Sequence, residues 1–205
     1  MREPEQVKAA IRAEIRAARR RMSEDEVRER SRAVIARLAG MEEFRAAAAV
    51  ACYIAMPGEV RTESLVAICR AAGKRVAAPA FREDAGGYEL AWLDPGARIV
   101  PGPGKAPEPA APQWLGAIAP DIVVTPLLAF DPAGNRLGHG GGHYDRLFSE
   151  TPAGRAFRVG LAFDFQMRPE LPARPHDVML NAVVTESALR RMAPAARGGG
   201  RNETG

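Results

Sequence analysis

The chain has 205 residues, 46% of them hydrophobic, enough for one sizeable core. A formal net charge of +4 admits nucleic acid, anionic lipid or a phosphorylated small molecule as partner and chooses none of them. No apolar run is long enough to span a bilayer, and the opening MREPEQVKAAIRAEIRAARRRM has no apolar signal core, so a cytoplasmic protein without membrane contact is expected.

In chain order, residues 5 to 20 and 23 to 39 read as helices, with Val7, Ile11 and Ile15 four apart and Val27, Val34, Ile35 and Leu38 forming a second stripe. Ser23 followed by Glu26 is a capping box that starts the second helix. AAAAVACYIAMP, 46 to 57, reads as a strand buried on both faces. A helix from Thr62 to Ala72 is closed by Gly73, and KRVAAPAF and YELAWL read as strands. Residues 94 to 112, rich in proline and glycine, read as one long loop. DIVVTPLLAF, 121 to 130, is the strongest buried strand; a short helix near 142 to 150 and strands FRVGLAF and NAVVTE follow. Residues 1 to 192 read as one domain and 193 to 205 as a disordered tail. Alternating strands and helices predict a single three-layer α/β/α domain around a largely parallel sheet. Cys52 and Cys69 show no metal spacing and read as buried, reduced thiols.

The chemistry concentrates in FDPAGNRLGHGGGHYDRLF, 130 to 148, at the carboxyl end of the strongest strand, where ligands of such sheets bind. It is neither a dinucleotide fingerprint, since His143 stands where the last glycine belongs, nor a Walker loop, since no GK[ST] occurs in it; PGPGKA, 101 to 106, fails the same test. Glycine amides running into a helix N-terminus still form an anion site, and Arg136 adds a cation. Asp145 suits a hard divalent cation beside phosphates, or simply the helix dipole. No Ser/His/Asp or Cys/His arrangement offers a covalent nucleophile.

DIVVTPLLAFDPAGNRLGHGGGHYDR resembles the signature of the 5-formyltetrahydrofolate cyclo-ligase family, also called methenyltetrahydrofolate synthetases. VKAAIRAEIRAARR, YIAMPGEVRTESL and GLAFDFQMRPELPARPHDVMLNAVVTE are similar to further family blocks in the same order, so the resemblance spans residues 7 to 186. It implies a NagB/RpiA/CoA transferase-like fold and an ATP- and Mg2+-dependent closure of 5-formyltetrahydrofolate to 5,10-methenyltetrahydrofolate, releasing ADP and phosphate. The formyl oxygen would attack the γ-phosphate, and a folate nitrogen would then close the ring as phosphate leaves.

Carried over by motif, Lys8, Arg12, Arg136, Gly138, His139, Gly140, Gly141, Gly142, His143 and Tyr144 would bind ATP, with Lys8 and Arg136 neutralising phosphate charge. Ile54, Glu59, His139, Gly140, Gly141, Gly142 and His143 would bind the folate, and Asp145 and Asp177 would hold Mg2+. Against these stand plainer roles: Lys8 and Arg12 as solvated cations, Asp177 as a turn residue, Glu59 as an exposed residue after a Pro-Gly turn, His176 as structural, Tyr53 and Trp92 as core. Two departures bear on the substrate: His143 replaces the usual tyrosine, and Gly104 stands where an aromatic covering the folate is sought. The alternatives are a paralogous ATP-dependent enzyme acting on another formylated amine, and a basic nucleic-acid-binding module. The latter is disfavoured because its cations are interspersed with acids and no recognition motif occurs.

Overall fold

The computed structural model describes residues 3–174 and 176–192; the expected tail at 193 to 205 lies outside them. Helix α1 (Pro4–Arg21) begins with proline in its first turn, where the missing N–H costs nothing. Helix α2 (Glu24–Ala39) carries the expected box: the Ser23 hydroxyl accepts the Glu26 N–H at 3.1 Å, and the Glu26 carboxylate accepts the Ser23 N–H at 3.0 Å.

The apolar run at 46 to 57 is not one strand. Helix α3 (Glu42–Ala46) takes its first residue, and strand β1 covers only Ala49–Cys52, where parallel partners exist on both sides. Alanine favours helix, so the alanine run alone does not hold the chain extended. Helix α4 (Glu63–Ala71) ends in a Schellman motif: Lys74 N–H reaches the Cys69 carbonyl at 2.9 Å and Gly73 N–H that of Arg70 at 3.0 Å, with Gly73 at φ 70°.

Strands β2 (Arg75–Arg82) and β3 (Gly87–Trp92) pair antiparallel. The expected loop at 94 to 112 contains a small antiparallel pair, β4 (Ile99–Pro101) and β5 (Pro107–Pro109), and β6 (Gln113–Trp114) extends the main sheet beyond β3. The expected strand at 121 to 130 is two: β7 (Ile122–Pro126) ends at a proline that cannot donate to a ladder, and β8 (Ala129–Phe130) pairs instead with β9 (Arg136–Leu137). Helix α5 (His143–Glu150) follows, then β10 (Phe157–Leu161), β11 (Ala182–Val184) and the antiparallel edge β12 (Leu189–Arg191).

The main sheet runs β12-β11-β10-β7-β1-β2-β3-β6, with β11, β10, β7, β1 and β2 parallel and the three flanking strands antiparallel. Alternate strand residues serve opposite faces. Val50, Cys52, Ile122 and Val124 pack with Val34, Ile35, Leu38, Phe44 and Leu65 of α2 to α4. Ala51, Ala77 and Val123 pack with Leu147 and Phe148 of α5. This is the three-layer α/β/α arrangement expected. From β1 the chain winds outward through β2, β3 and β6, then returns to β7 and winds the other way, so a topological switch point lies between β1 and β7. A crevice is expected outside the carboxyl ends of those two strands. Among the described residues, no helix is long and apolar enough to cross a membrane.

Candidate active site

A cavity of about 590 Å³ opens at that switch point. Its floor comes from the residues leaving β1 (Tyr53, Ile54, Met56 and Glu59) and from Pro126 at the end of β7; one wall is the loop from Arg136 to Asp145, another the cationic face of α1. Every site residue expected from the sequence lines it, including Lys8, Arg12, Ile54, Glu59, Arg136, His139, Asp145 and Asp177.

Local backbone requirements explain the glycines. After β9 the chain reverses into α5, whose N-cap Gly142 sits at φ 63°, while Gly140 sits at φ 114°. Side-chain-bearing residues are strained at such angles. The stripped loop ends at the first turn of α5, whose amides have no carbonyl one turn behind them and face a ligand with partial positive charge. Helix α1 braces this loop: Arg12 Nε donates to the Gly138 carbonyl at 3.1 Å, and Arg16 lies 3.5 Å from that of His139.

Cations and carboxylates meet around the cavity. Arg136, almost fully buried, donates to Asp145 Oδ1 at 2.6 Å and to the Val178 carbonyl, and the same Oδ1 accepts the Val178 N–H at 3.0 Å. Burial lowers the Arg136 pKa and the Asp145 charge opposes that shift. Lys8 Nζ lies 3.4 Å from Asp177 Oδ2, which also accepts the Arg174 N–H at 2.8 Å. Asp177 is thus a turn residue and a partner of Lys8 at once, and Lys8 is buried rather than solvated.

Glu59 is not an exposed turn residue: it is 2% exposed, its Oε2 accepts the Met56 N–H at 3.0 Å and its Oε1 lies 3.1 Å from His139 Nε2. Burial, reinforced by the charge of Glu59, pushes the hydroxyls of Tyr53 and Tyr144 well above their usual range. Tyr53 donates to the Val60 carbonyl at 2.7 Å, so it is a core residue that shows a face to the cavity. Trp92 lies elsewhere, with the Arg75 guanidinium 3.4 Å from its ring centroid. His176 is an exposed residue at the rim, not a structural one.

His143, the first residue of α5, presents a polar ring to the cavity. Its Nδ1 lies 3.0 Å from Arg146 Nη2, an obligate donor, so Nδ1 is the acceptor. Burial and then the Arg146 charge lower its pKa. It contacts Tyr88 edge-on, centroids 4.8 Å apart. Tyr88 lines the cavity beside Gly104 and supplies an aromatic surface there, whereas position 104 has none. Sequence reasoning missed it, together with Arg19 and Arg174. The alternation of YELAWL carried a signal, but only the β2–β3 register, with Phe81 opposite Tyr88, places that ring at the carboxyl edge.

Fold and site define an α/β protein with a cavity lined by cations and glycines at the switch point of its sheet. A model of the 5-formyltetrahydrofolate cyclo-ligase family matches residues 4–186, and the chain belongs to that family. It is 33% identical over 179 residues to the 5-formyltetrahydrofolate cyclo-ligase of Escherichia coli K12, covering 85% of this chain and 98% of that protein. The Mycolicibacterium smegmatis 5-formyltetrahydrofolate cyclo-ligase is 34% identical over 143 residues, 66% of this chain and 72% of that one. The NMR structure of Aquifex aeolicus 5,10-methenyltetrahydrofolate synthetase superposes with a TM-score of 0.79 at 28% identity, covering 96% of this chain and 98% of the other.

Proposed function

We propose that this protein converts 5-formyltetrahydrofolate to 5,10-methenyltetrahydrofolate with consumption of ATP and release of ADP and phosphate. The observation that carries the reading is the convergence of four separate sequence segments on one cavity. The α1 cations, the segment after β1, the glycine loop and the Asp177 turn all meet at the switch point.

The chemistry follows from the residues. A formamide oxygen is a poor leaving group, so it first attacks the γ-phosphorus of ATP, forming an O–P bond as the bond to ADP breaks. The neighbouring folate nitrogen then adds to the activated formyl carbon and loses its proton, and the C–O bond breaks to release phosphate. Positioning and charge neutralisation supply most of phosphoryl transfer, and a protein nucleophile is unnecessary. Lys8, Arg12 and Arg136 neutralise the phosphates, and the amides from Gly140 to Tyr144 hold their oxygens. Glu59 accepts N–H groups of the folate, and Ile54 with Tyr88 packs against its ring.

Asp145 and Asp177 are the residues that would hold Mg2+. Among the described residues no cluster of three metal-ligating side chains forms, and two carboxylates fit a Mg2+ that takes its remaining ligands from water and phosphate. Such an ion would supply charge neutralisation across the transferring phosphate.

The test mixes protein, 5-formyltetrahydrofolate, ATP and Mg2+ and follows the near-ultraviolet band of the methenyl product. Growth of that band only when ATP is present supports the reading. ATP hydrolysis stimulated by a different formylated amine, with no band, would move the protein to a paralogous activity.

A further inference from the structure

Arg19 shares α1 with Lys8 and Arg12 but does not itself line the cavity, yet it is 8% exposed and carries a charge into the protein from the last turn of that helix. Burying a guanidinium is costly unless its donors and charge find partners. One terminal nitrogen donates to the Leu127 carbonyl at 2.7 Å, at the end of β7. The other lies 3.6 Å from Glu59 Oε1, an ion pair rather than a hydrogen bond. Its Nε has no hydrogen-bond partner among the described residues. Burial lowers the Arg19 pKa, and Glu59 is the largest influence opposing it. So the charge of Glu59 is what keeps this cation tolerable inside the protein.

Backbone geometry ties the two residues further. The turn carrying Glu59 contains Gly58 at φ 77°, and a Cβ built there would lie 3.0 Å from the Cβ of Arg19. The turn therefore lies flat on the Arg19 stem, and only glycine allows that approach. Glu59 is faced by Arg19 from α1, His139 from the loop, and the hydroxyls of Tyr53 and Tyr144. Of these, His139 comes from the glycine loop, is 40% exposed and lines the cavity, within reach of a substrate group. Arg19 is the cation that stays.

We infer that Arg19 is a positioning residue for the folate-binding half of the site: it holds the Glu59 carboxylate aimed into the cavity while touching no substrate itself. The inference rests on the folate reading of the site given above.

The experiment compares Arg19→Met, Arg19→Lys, Glu59→Gln and the double variant Arg19→Met/Glu59→Gln, measuring KM for the formylfolate, KM for ATP, and kcat. A Glu59 carboxylate no longer held in place loses a charge-assisted hydrogen bond to the folate, roughly tenfold or more in affinity, so Arg19→Met is expected to raise the folate KM by about that factor while the ATP KM stays within about twofold. Because Arg19 acts through Glu59, the double variant should be no worse than Glu59→Gln alone. Arg19→Lys, which restores charge without the fork, should recover part of the loss. Additive effects of the two substitutions would overturn the inference, as would an Arg19→Met enzyme whose two KM values and kcat all worsen together. If Arg19→Met does not fold, Arg19→Lys carries the test, and a wild-type folate KM in that variant overturns it. A wild-type protein inert toward the formylfolate contradicts the functional reading instead, a separate result.

Discussion

The two ends of the parallel strands both carry cations beside a concavity, and they use them differently. At the amino ends, Lys74 donates to the carbonyls of Arg45 and Ala47, Arg70 to those of Leu93 and Asp94, and Arg75 lies across Trp92, around a cleft of about 290 Å³. At the carboxyl ends, Lys8, Arg136 and Arg19 face Asp177, Asp145 and Glu59. Cations set against backbone carbonyls finish loops, as Arg12 does through Nε at the glycine loop, although its side chain also lines the cavity. Cations set against carboxylates are different: an incoming phosphate can share the cation, and the released carboxylate can take a metal ion or a substrate N–H. Neither concavity nor positive charge distinguishes the two ends; the kind of partner does.

The largest effect is expected at the carboxyl end. Asp145→Asn keeps shape and can still accept from Arg136 and Val178, but it loses the charge a divalent ion needs. Turnover should fall by roughly a hundredfold or more at ordinary Mg2+, with the thermal midpoint little moved. Turnover equal to wild type would remove Asp145 from the metal role. Gly140→Ala probes the loop. A side chain at φ 114° costs about 1–3 kcal/mol of strain, so kcat/KM should drop by about tenfold or more as the loop rearranges, measured against ATP.

The opposite end provides the contrast. Lys74→Met should lower stability by about 1–2 kcal/mol in denaturant unfolding, through two carbonyls losing a donor, and leave kcat/KM within about twofold. A loss of activity there as large as that of Gly140→Ala would break the distinction between the two ends. The smallest effect concerns the floor of the cavity. Burial pushes the Cys52 thiol up to about 12, so alkylation of the native protein at pH 8 should leave Cys52 unmodified, although the next residue, Tyr53, lines the cavity. Rapid labelling would mean that the floor opens.

Much of the site was legible because its chemistry is written in contiguous runs. GHGGGHYDR announces both the positive-φ turn and the helix start, and the four-residue spacing of Lys8 and Arg12 puts them on one face of α1. What the runs could not show was long-range pairing. Pro126 splits the strongest strand, which changes where Arg136 emerges, and the β4–β5 pair hidden in a proline-rich stretch brings Gly104 to the cavity beside Tyr88. The plainer reading of Glu59, as an exposed residue, rested on a Pro-Gly turn normally facing water; its burial depends on Arg19, forty residues away, lying beneath it. Buried charge pairs of this kind leave no local signature, since each partner alone has the composition of a surface residue.

The most direct test follows the formyl oxygen. With that oxygen replaced by a heavy isotope, the account predicts that the label leaves in inorganic phosphate, because the oxygen is phosphorylated before the ring closes. Methenyl product formed with unlabelled phosphate and the label in water would contradict it, and with it the assignment of the loop and the folate pocket to a single reaction.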